Sequence, residues 1–313
     1  MIQLLEAVPN FSEGRDLAKI GRIVDRIAAH DVEVLDWSAD PDHHRSVVTF
    51  IGAPDEVLRA AVAGARAALE LIDLRDHDGV HPRVGALDVL PFVPLEGATM
   101  PDAVAVAERA ALEIADLGVP VFLYGRAARA PDRDLATLRR GGYEAYRAGW
   151  PEGRRPDLTA GRAAAHPTAG VTCVGARPVL LAWNVVIRGV DLALARAIAA
   201  RIRERGGGFP GLRALGLHLA RQDRLQISMN LEDPDVTSPL AVFRAIASAV
   251  EAEGGQVVET EVIGMMPDTL VQPGCADTLN LLDPRETRVL SHRVAEYVTA
   301  RARPPTETPD LTE

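Results

Sequence analysis

A chain of 313 residues, 47% hydrophobic and only 4% aromatic, holds enough aliphatic material for one large core or for two domains of roughly 150 residues each. Its net charge of -10 excludes a general affinity for nucleic acid, and no apolar run of about 18 residues reads as a membrane span. The cysteines Cys173 and Cys275 follow no metal or redox spacing and no secretory leader is legible, so a reducing cytoplasm is the expected compartment.

Ile2 to Val8 predicts a short strand closed by Pro9-Asn10, and the spacing of Leu17, Ile20, Ile23, Val24 and Ile27 predicts a helix over Asp16 to Ala29. Two strand-like runs, Val32 to Trp37 and Ser46 to Ile51, flank the polar connector Ser38 to Arg45; Pro54 then opens a helix to about Leu71. The loop Asp76 to Asp88 leads into a strand over Val89 to Leu95, which completes a β-α-β-β-α-β order. A helix over Pro101 to Leu117 and a strand over Val119 to Tyr124 read as additions. Arg126 to about Gly170 is rich in Arg, Gly, Pro and Ala without periodicity and reads as a connector or functional loop.

The second half repeats the order: strand Val179 to Ile187, helix Leu192 to Arg205, strands Leu212 to Leu219 and Arg224 to Asn230, helix Pro239 to Glu253, strand Gln256 to Ile263. Leu281 to Arg301 predicts one more helix. The fold class is therefore α/β (α+β), with two ferredoxin-like βαββαβ subdomains, residues 1–177 and 178–303, meeting at a groove, and a polar tail over 304–313.

The loop Asp76-His77-Asp78-Gly79-Val80-His81-Pro82-Arg83-Val84-Gly85-Ala86-Leu87-Asp88 gathers the most chemistry. His77 and His81 have metal-ligand spacing for a helix, with Asp40, Asp42, His43 and His44 as further donors, but Gly79 and Pro82 oppose a helix and nothing fixes a tetrahedral set. No metal is expected. His81 reads as a general acid and base, with Asp76, Asp78 or Asp88 to orient it; the competing role is a loop histidine bonded to a backbone carbonyl. Gly206-Gly207-Gly208 follows a helix and reads as a turn rather than a phosphate cradle. Asn184 and Asn230, polar residues in apolar strands of the second unit, face either solvent or the groove.

Several blocks in fixed order resemble the glutamate formimidoyltransferases: Val8-Pro9-Asn10-Phe11-Ser12-Glu13-Gly14, Arg45 to Phe50, His81 to Asp88, Gly118 to Val121 with Tyr124-Gly125, His166-Pro167-Thr168-Ala169-Gly170, Val174 to Arg177 and Gln226 to Leu231. The resemblance runs roughly from Leu4 to Val262. It implies facing sheets with helices outside and a substrate tunnel between them. It also implies formimidoyl transfer between N-formimidoyl-L-glutamate and tetrahydrofolate, a co-substrate, in histidine breakdown. The family's catalytic histidine falls on His81. Its folate-contacting segment falls on about Thr159 to Gly170, with Thr159, His166, Pro167, Thr168 and Gly170 as contacts.

Arg45, Arg83 and Arg177 are candidates for substrate carboxylates by bidentate pairing, with structural ion pairing as the alternative for each. Asp36, Ser38, Asp88, Asn184 and Asn230 complete the expected substrate-binding set. The chain departs from the family at Pro156-Asp157-Leu158-Thr159-Ala160, which lacks an aromatic and a turn glycine, and at Ser38, where animal members carry an acid that Asp36 or Asp40 would have to replace. Two alternatives follow from these departures: a donor such as formimidoylglycine, and a folate-binding protein without catalysis. The expected partners are small molecules only, with neither nucleic acid nor membrane; a homodimer is one expected assembly, and the oligomeric state stays open.

Overall fold

The computed structural model describes residues 2–131, 133–234 and 236–302, so the tail expected over 304–313 lies outside the described residues. The first half runs β1 (Leu5–Ala7), β2 (Asn10–Phe11), α1 (Leu17–Ala28), β3 (Val32–Asp40), β4 (Arg45–Gly52), α2 (Pro54–Leu71), β5 (Leu87–Pro94), α3 (Met100–Asp116) and β6 (Val121–Gly125). Then come the one-turn helices α4 (Leu135–Leu138) and α5 (Glu144–Arg147), and β7 (Thr172–Ala176). The second half runs β8 (Leu181–Arg188), α6 (Leu192–Ile202), β9 (Leu212–Leu219), β10 (Arg224–Leu231), α7 (Pro239–Glu251), β11 (Gln256–Ile263), α8 (Cys275–Thr278) and α9 (Leu290–Ala302).

Local chemistry sets these boundaries. The Asp16 carboxylate caps α1 by accepting from the Ala18 and Lys19 amides, and Ile20, Ile23 and Ile27 then fall on one buried face. Thr99 and Asp102 close a reciprocal capping box on α3, with Pro101 in its first turn.

β1 and β2 both lie between β4 and β5, so they act as one strand interrupted around Val8-Pro9. With β3 on the outer side of β4, these strands form the first ferredoxin-like unit. β7 joins β5 in parallel and β6 joins β7 in parallel. The strand β7 was not expected, and it separates β6 from the first unit. The second sheet, ordered β11-β8-β10-β9, is antiparallel throughout.

Alternation along the strands gives each sheet a dry face and a second face. Val48 and Phe50 of β4 join the core with residues of α1, α2 and α3, so Arg45, Val47, Thr49 and Ile51 point the other way. Ile227, Met229 and Leu231 of β10 join the core with residues of α6 and α7, which turns Gln226, Ser228 and Asn230 outward. The two outward faces meet: the Arg221 amide donates to Asp42 Oδ1 at 2.8 Å, and β3 and β11 share the walls of one pocket.

The expected helix over Leu281 to Arg301 needs correction. Only Leu290–Ala302 is α-helical, after a single 3-10 turn at Glu286–Arg288. Pro284 disfavours α conformation at Asp283 and so interrupts the earlier stretch. α9 crosses back to the first sheet, where Tyr297, 2% exposed, packs with Leu4 and Ile51. None of the described helices is long and apolar enough to cross a membrane.

Candidate active site

Arg45, at the start of β4, is the hub of the site. Its Nε and Nη2 donate to Asn10 Oδ1 at 3.0 and 2.8 Å, and its Nη1 donates to Asp88 Oδ2 at 2.9 Å. The same Nη1 lies 3.1 Å from His81 Nδ1. Asp88 is fully buried at the mouth of β5; its Oδ1 accepts from the Val84 amide at 2.7 Å, and its Oδ2 also accepts from Arg139 Nη2 at 2.5 Å. A fork of five donors suits Arg45 to bridging a strand, a loop and an amide at once.

His81 is held by close backbone approach. A Cβ on Gly79 would sit 2.2 Å from the His43 carbonyl oxygen, so only glycine lets the loop lie on the 42–45 turn, where the Val80 amide donates to the Asp42 carbonyl at 3.0 Å. On the other side the loop is stitched to the expected folate segment: the Ala86 amide donates to the Ala169 carbonyl, and the Val171 amide to the Val84 carbonyl, both at 2.9 Å. Gly170, at φ 71, could not carry a Cβ there, since it would fall 2.1 Å from the Val84 oxygen.

Nδ1 of His81 also lies 2.8 Å from the Pro82 carbonyl oxygen. A guanidinium only donates and a carbonyl only accepts, so each neutral tautomer has its own partner. With Nδ1 bare it accepts from Arg45 and the proton sits on Nε2; with Nδ1 protonated it donates to Pro82 and Nε2 becomes a base. Burial, with Arg45, Arg139 and the His43 ring nearby, holds the imidazole pKa well below its usual 6.5, against the pull of Asp88. Asp88 stays ionised, held well below the usual carboxylate range by Arg139, Arg45 and the Val84 amide despite its burial. Burial and the Arg139 charge bring Arg45 down to about 10, so it keeps its charge at neutral pH. Two guanidiniums face one carboxylate, leaving a surplus of positive charge beside a neutral imidazole.

The other expected residues fall into distinct places. Asp36 and Ser38 line a pocket of about 360 Å³ between β3 and β11 with Glu261, Asp283, Arg285 and Arg288; neither His81 nor Arg45 is among its walls. Asn184 is buried on β8 and donates to Glu261 Oε2 at 3.3 Å, whereas Asn230 is exposed at the end of β10. Arg83 is engaged by Glu144 through two bonds of 2.9 and 2.7 Å, so it serves an ion pair in this structure. Arg177 donates to the Pro178 carbonyl and lies near Tyr124 and Glu6 rather than His81.

Within the expected folate segment, His166 Nδ1 accepts from the Ala169 amide at 3.1 Å, Thr168 lies in the same turn, and the Pro167 carbonyl accepts from Tyr143. Thr159 follows Leu158, whose amide and carbonyl pair with Val121 at the edge of β6. His166 to Gly170 thus sits on the His81 loop, and the Thr159 end is tied to a different strand.

Of the acids expected to orient His81, Asp88 is the one that the Arg45 guanidinium links to its ring. Asp40 Oδ1 caps the 42–45 turn by accepting from the Asp42 and His43 amides at 2.8 and 2.7 Å, and Asp78 pairs with Arg15. Asp88 acts through Arg45. His77 and His44 stack at 4.2 Å, and His77 Nε2 donates to the His44 carbonyl at 2.8 Å. Burial lowers the His77 pKa to about 4. Arg139 had no signal in the sequence, and Asn10 and Gln226 appeared only as members of family blocks.

A family model described as "Formiminotransferase domain, N-terminal subdomain" matches residues 4–177, and one described as "Formiminotransferase domain" matches residues 182–275. The chain is similar to a glutamate formimidoyltransferase of Thermoplasma acidophilum, 38% identical over 276 residues, which covers 85% of this chain and 89% of that protein. A glutamate formimidoyltransferase of Streptococcus pyogenes serotype M1 is 38% identical over 275 residues, covering 85% of this chain and 90% of that protein. The formimidoyltransferase-cyclodeaminase of Sus scrofa is 40% identical over 281 residues, which are 85% of this chain and 51% of that longer protein.

Proposed function

Because the chain belongs to the formiminotransferase domain family, we propose that it moves a formimidoyl group between N-formimidoyl-L-glutamate and tetrahydrofolate, with His81 carrying the proton. The observation that carries the role of His81 is the placement of its Nδ1 between the Arg45 guanidinium and the Pro82 carbonyl, beside Arg139 and Asp88, where burial and the two cations disfavour the imidazolium.

Transfer requires an amine to attack the amidine carbon, a proton to leave the incoming nitrogen, and a proton to reach the departing one. His81 is suited to both movements. Neutral at working pH, it accepts the first proton; beside two guanidiniums the imidazolium is disfavoured and passes that proton on. Such general acid and base work contributes about 100-fold to 10,000-fold, with the remainder from holding two substrates together. The surplus charge of Arg45 and Arg139 favours the carboxylates of a glutamate-like donor. The turn His166 to Gly170, fixed to the His81 loop, is the folate-side wall in this reading.

The boundary near residue 177 separates the two sheets, and the groove between their outward faces holds the substrates. The test is direct: purified protein mixed with N-formimidoyl-L-glutamate and tetrahydrofolate is expected to form 5-formimidoyltetrahydrofolate, followed by its absorbance and by mass. No product under conditions where a relative from Thermoplasma acidophilum turns over would overturn the reading.

A further inference from the structure

The outward face of the first sheet continues past the site. Asp40, Ser38 and Asp36 of β3 pair with Arg45, Val47 and Thr49 of β4, which puts Ser38 about 7 Å and Asp36 about 13 Å from Arg45 along the strands. There lies the pocket of about 360 Å³, of a size that small ligands occupy. Its walls come from three places: Asp36 and Ser38 from β3, Glu261 from β11, and Asp283, Arg285 and Arg288 from the segment that joins β11 to α9. β3 is on one side of β4, whereas β7, which follows the turn His166 to Gly170, is on the other. His81 and Arg45 therefore stand between that turn and this pocket.

Both arginines are preset. Arg288 Nη2 donates to the Val262 and Gly264 carbonyls at 2.8 and 2.7 Å, while its Nη1 stands 3.8 Å from Asp283 Oδ2, too far for a hydrogen bond. Arg285 is held by Asp283 through bonds of 2.7 and 2.8 Å. We propose that this pocket receives the side-chain carboxylate of the donor amino acid, and that Arg285 and Arg288 select glutamate over a donor without that charge. This rests on the transferase reading above. In N-formimidoyl-L-glutamate the carboxyl carbon of the side chain is four bonds from the reacting nitrogen, about 5 Å in an extended chain, comparable to the step from Arg45 to Ser38. Arg45 and Arg139 serve the α-carboxylate next to the reacting nitrogen, and Arg285 and Arg288 serve the far one. Glu261 does not oppose the second anion. Burial pushes its carboxyl up, against the bond from Asn184, so beside a carboxylate it takes the protonated form and donates.

The discriminating experiment compares kcat/KM of the full chain for N-formimidoyl-L-glutamate and for N-formimidoyl-L-glutamine, which has the same length and an amide in place of the side-chain carboxylate. The wild type is expected to prefer the glutamate compound by about tenfold to a hundredfold, the span of a charge-assisted hydrogen bond. Arg285→Gln and Arg288→Gln are each expected to lower that preference by about tenfold. The Arg285 side chain is 71% exposed, so Arg285→Gln keeps the fold and decides alone if Arg288→Gln unfolds. A wild type that turns over both compounds equally, or an Arg285→Gln protein with the wild-type preference, overturns the subsite and leaves the transferase reading intact. A wild type that turns over neither compound overturns that reading and the subsite with it.

Discussion

Arg139 meets the Asp88 carboxylate at 2.5 Å and, with Arg45, disfavours a positive His81. Arg139→Gln removes one cation, so His81 takes up a proton more readily and its pKa rises. The acid limb of the kcat/KM profile is therefore expected to move to higher pH. A limb unmoved in Arg139→Gln, or moved to lower pH, would contradict the electrostatics given for the site. At this scale His81 and Arg45 were legible as candidates because they stand in dense polar blocks, and the structure sets them 3.1 Å apart. The sequence was silent about Arg139, because that residue sits in an arginine-rich, aperiodic stretch 51 positions from its partner. Arg83 shows the converse: its two-pronged geometry was legible, but the carboxylate it meets belongs to Glu144 of the protein itself.

β1 carries an unusual passenger in Glu6, 4% exposed among apolar neighbours. Burial pushes its carboxyl from the ordinary 4.5 up to about 7, offset in part by the Arg177 charge. Below the lower value both folded and unfolded chains hold the proton; between the two the unfolded chain releases it and the folded chain keeps it. Stability therefore falls as pH rises across that window, by about 3 kcal/mol in all, and levels off above it. Glu6→Gln is expected to flatten this dependence, measured by urea unfolding at pH 5 and pH 8; an equally steep loss in the variant would exclude Glu6 as its source. Element identity was legible where periodicity was strong, as in α1, α2 and the second unit from β8 to β11. β7 was missed because a five-residue strand buried in full, Thr172–Ala176, shows no alternation. With Pro284 in its path the C-terminal helix starts only at Leu290, although apolar spacing continues from Leu281.

The chain is tied together at its ends. α9 leaves the second unit and packs Tyr297 against Leu4 and Ile51, while Arg293 Nη2 reaches Glu33 at 2.5 Å. Tyr297→Ala is expected to cost about 3 kcal/mol by emptying that contact, read from the urea midpoint; a loss within about 0.5 kcal/mol, typical of a surface substitution, would show that α9 does not hold the first sheet. The duplicated βαββαβ plan was legible from element order alone. The contact between the two outward faces, made by the Arg221 amide on Asp42 and by the Gln226 side chain on His43, was not, because it joins residues far apart in sequence and in different sheets.

The account centres on His81 as the proton carrier, and one comparison tests it most directly. Wild type and His81→Gln are to be assayed for transfer from N-formimidoyl-L-glutamate to tetrahydrofolate, alongside donor binding by calorimetry. The expected result is a fall in kcat of at least about 100-fold with donor affinity largely kept. An unchanged kcat in a folded His81→Gln protein would contradict the mechanism.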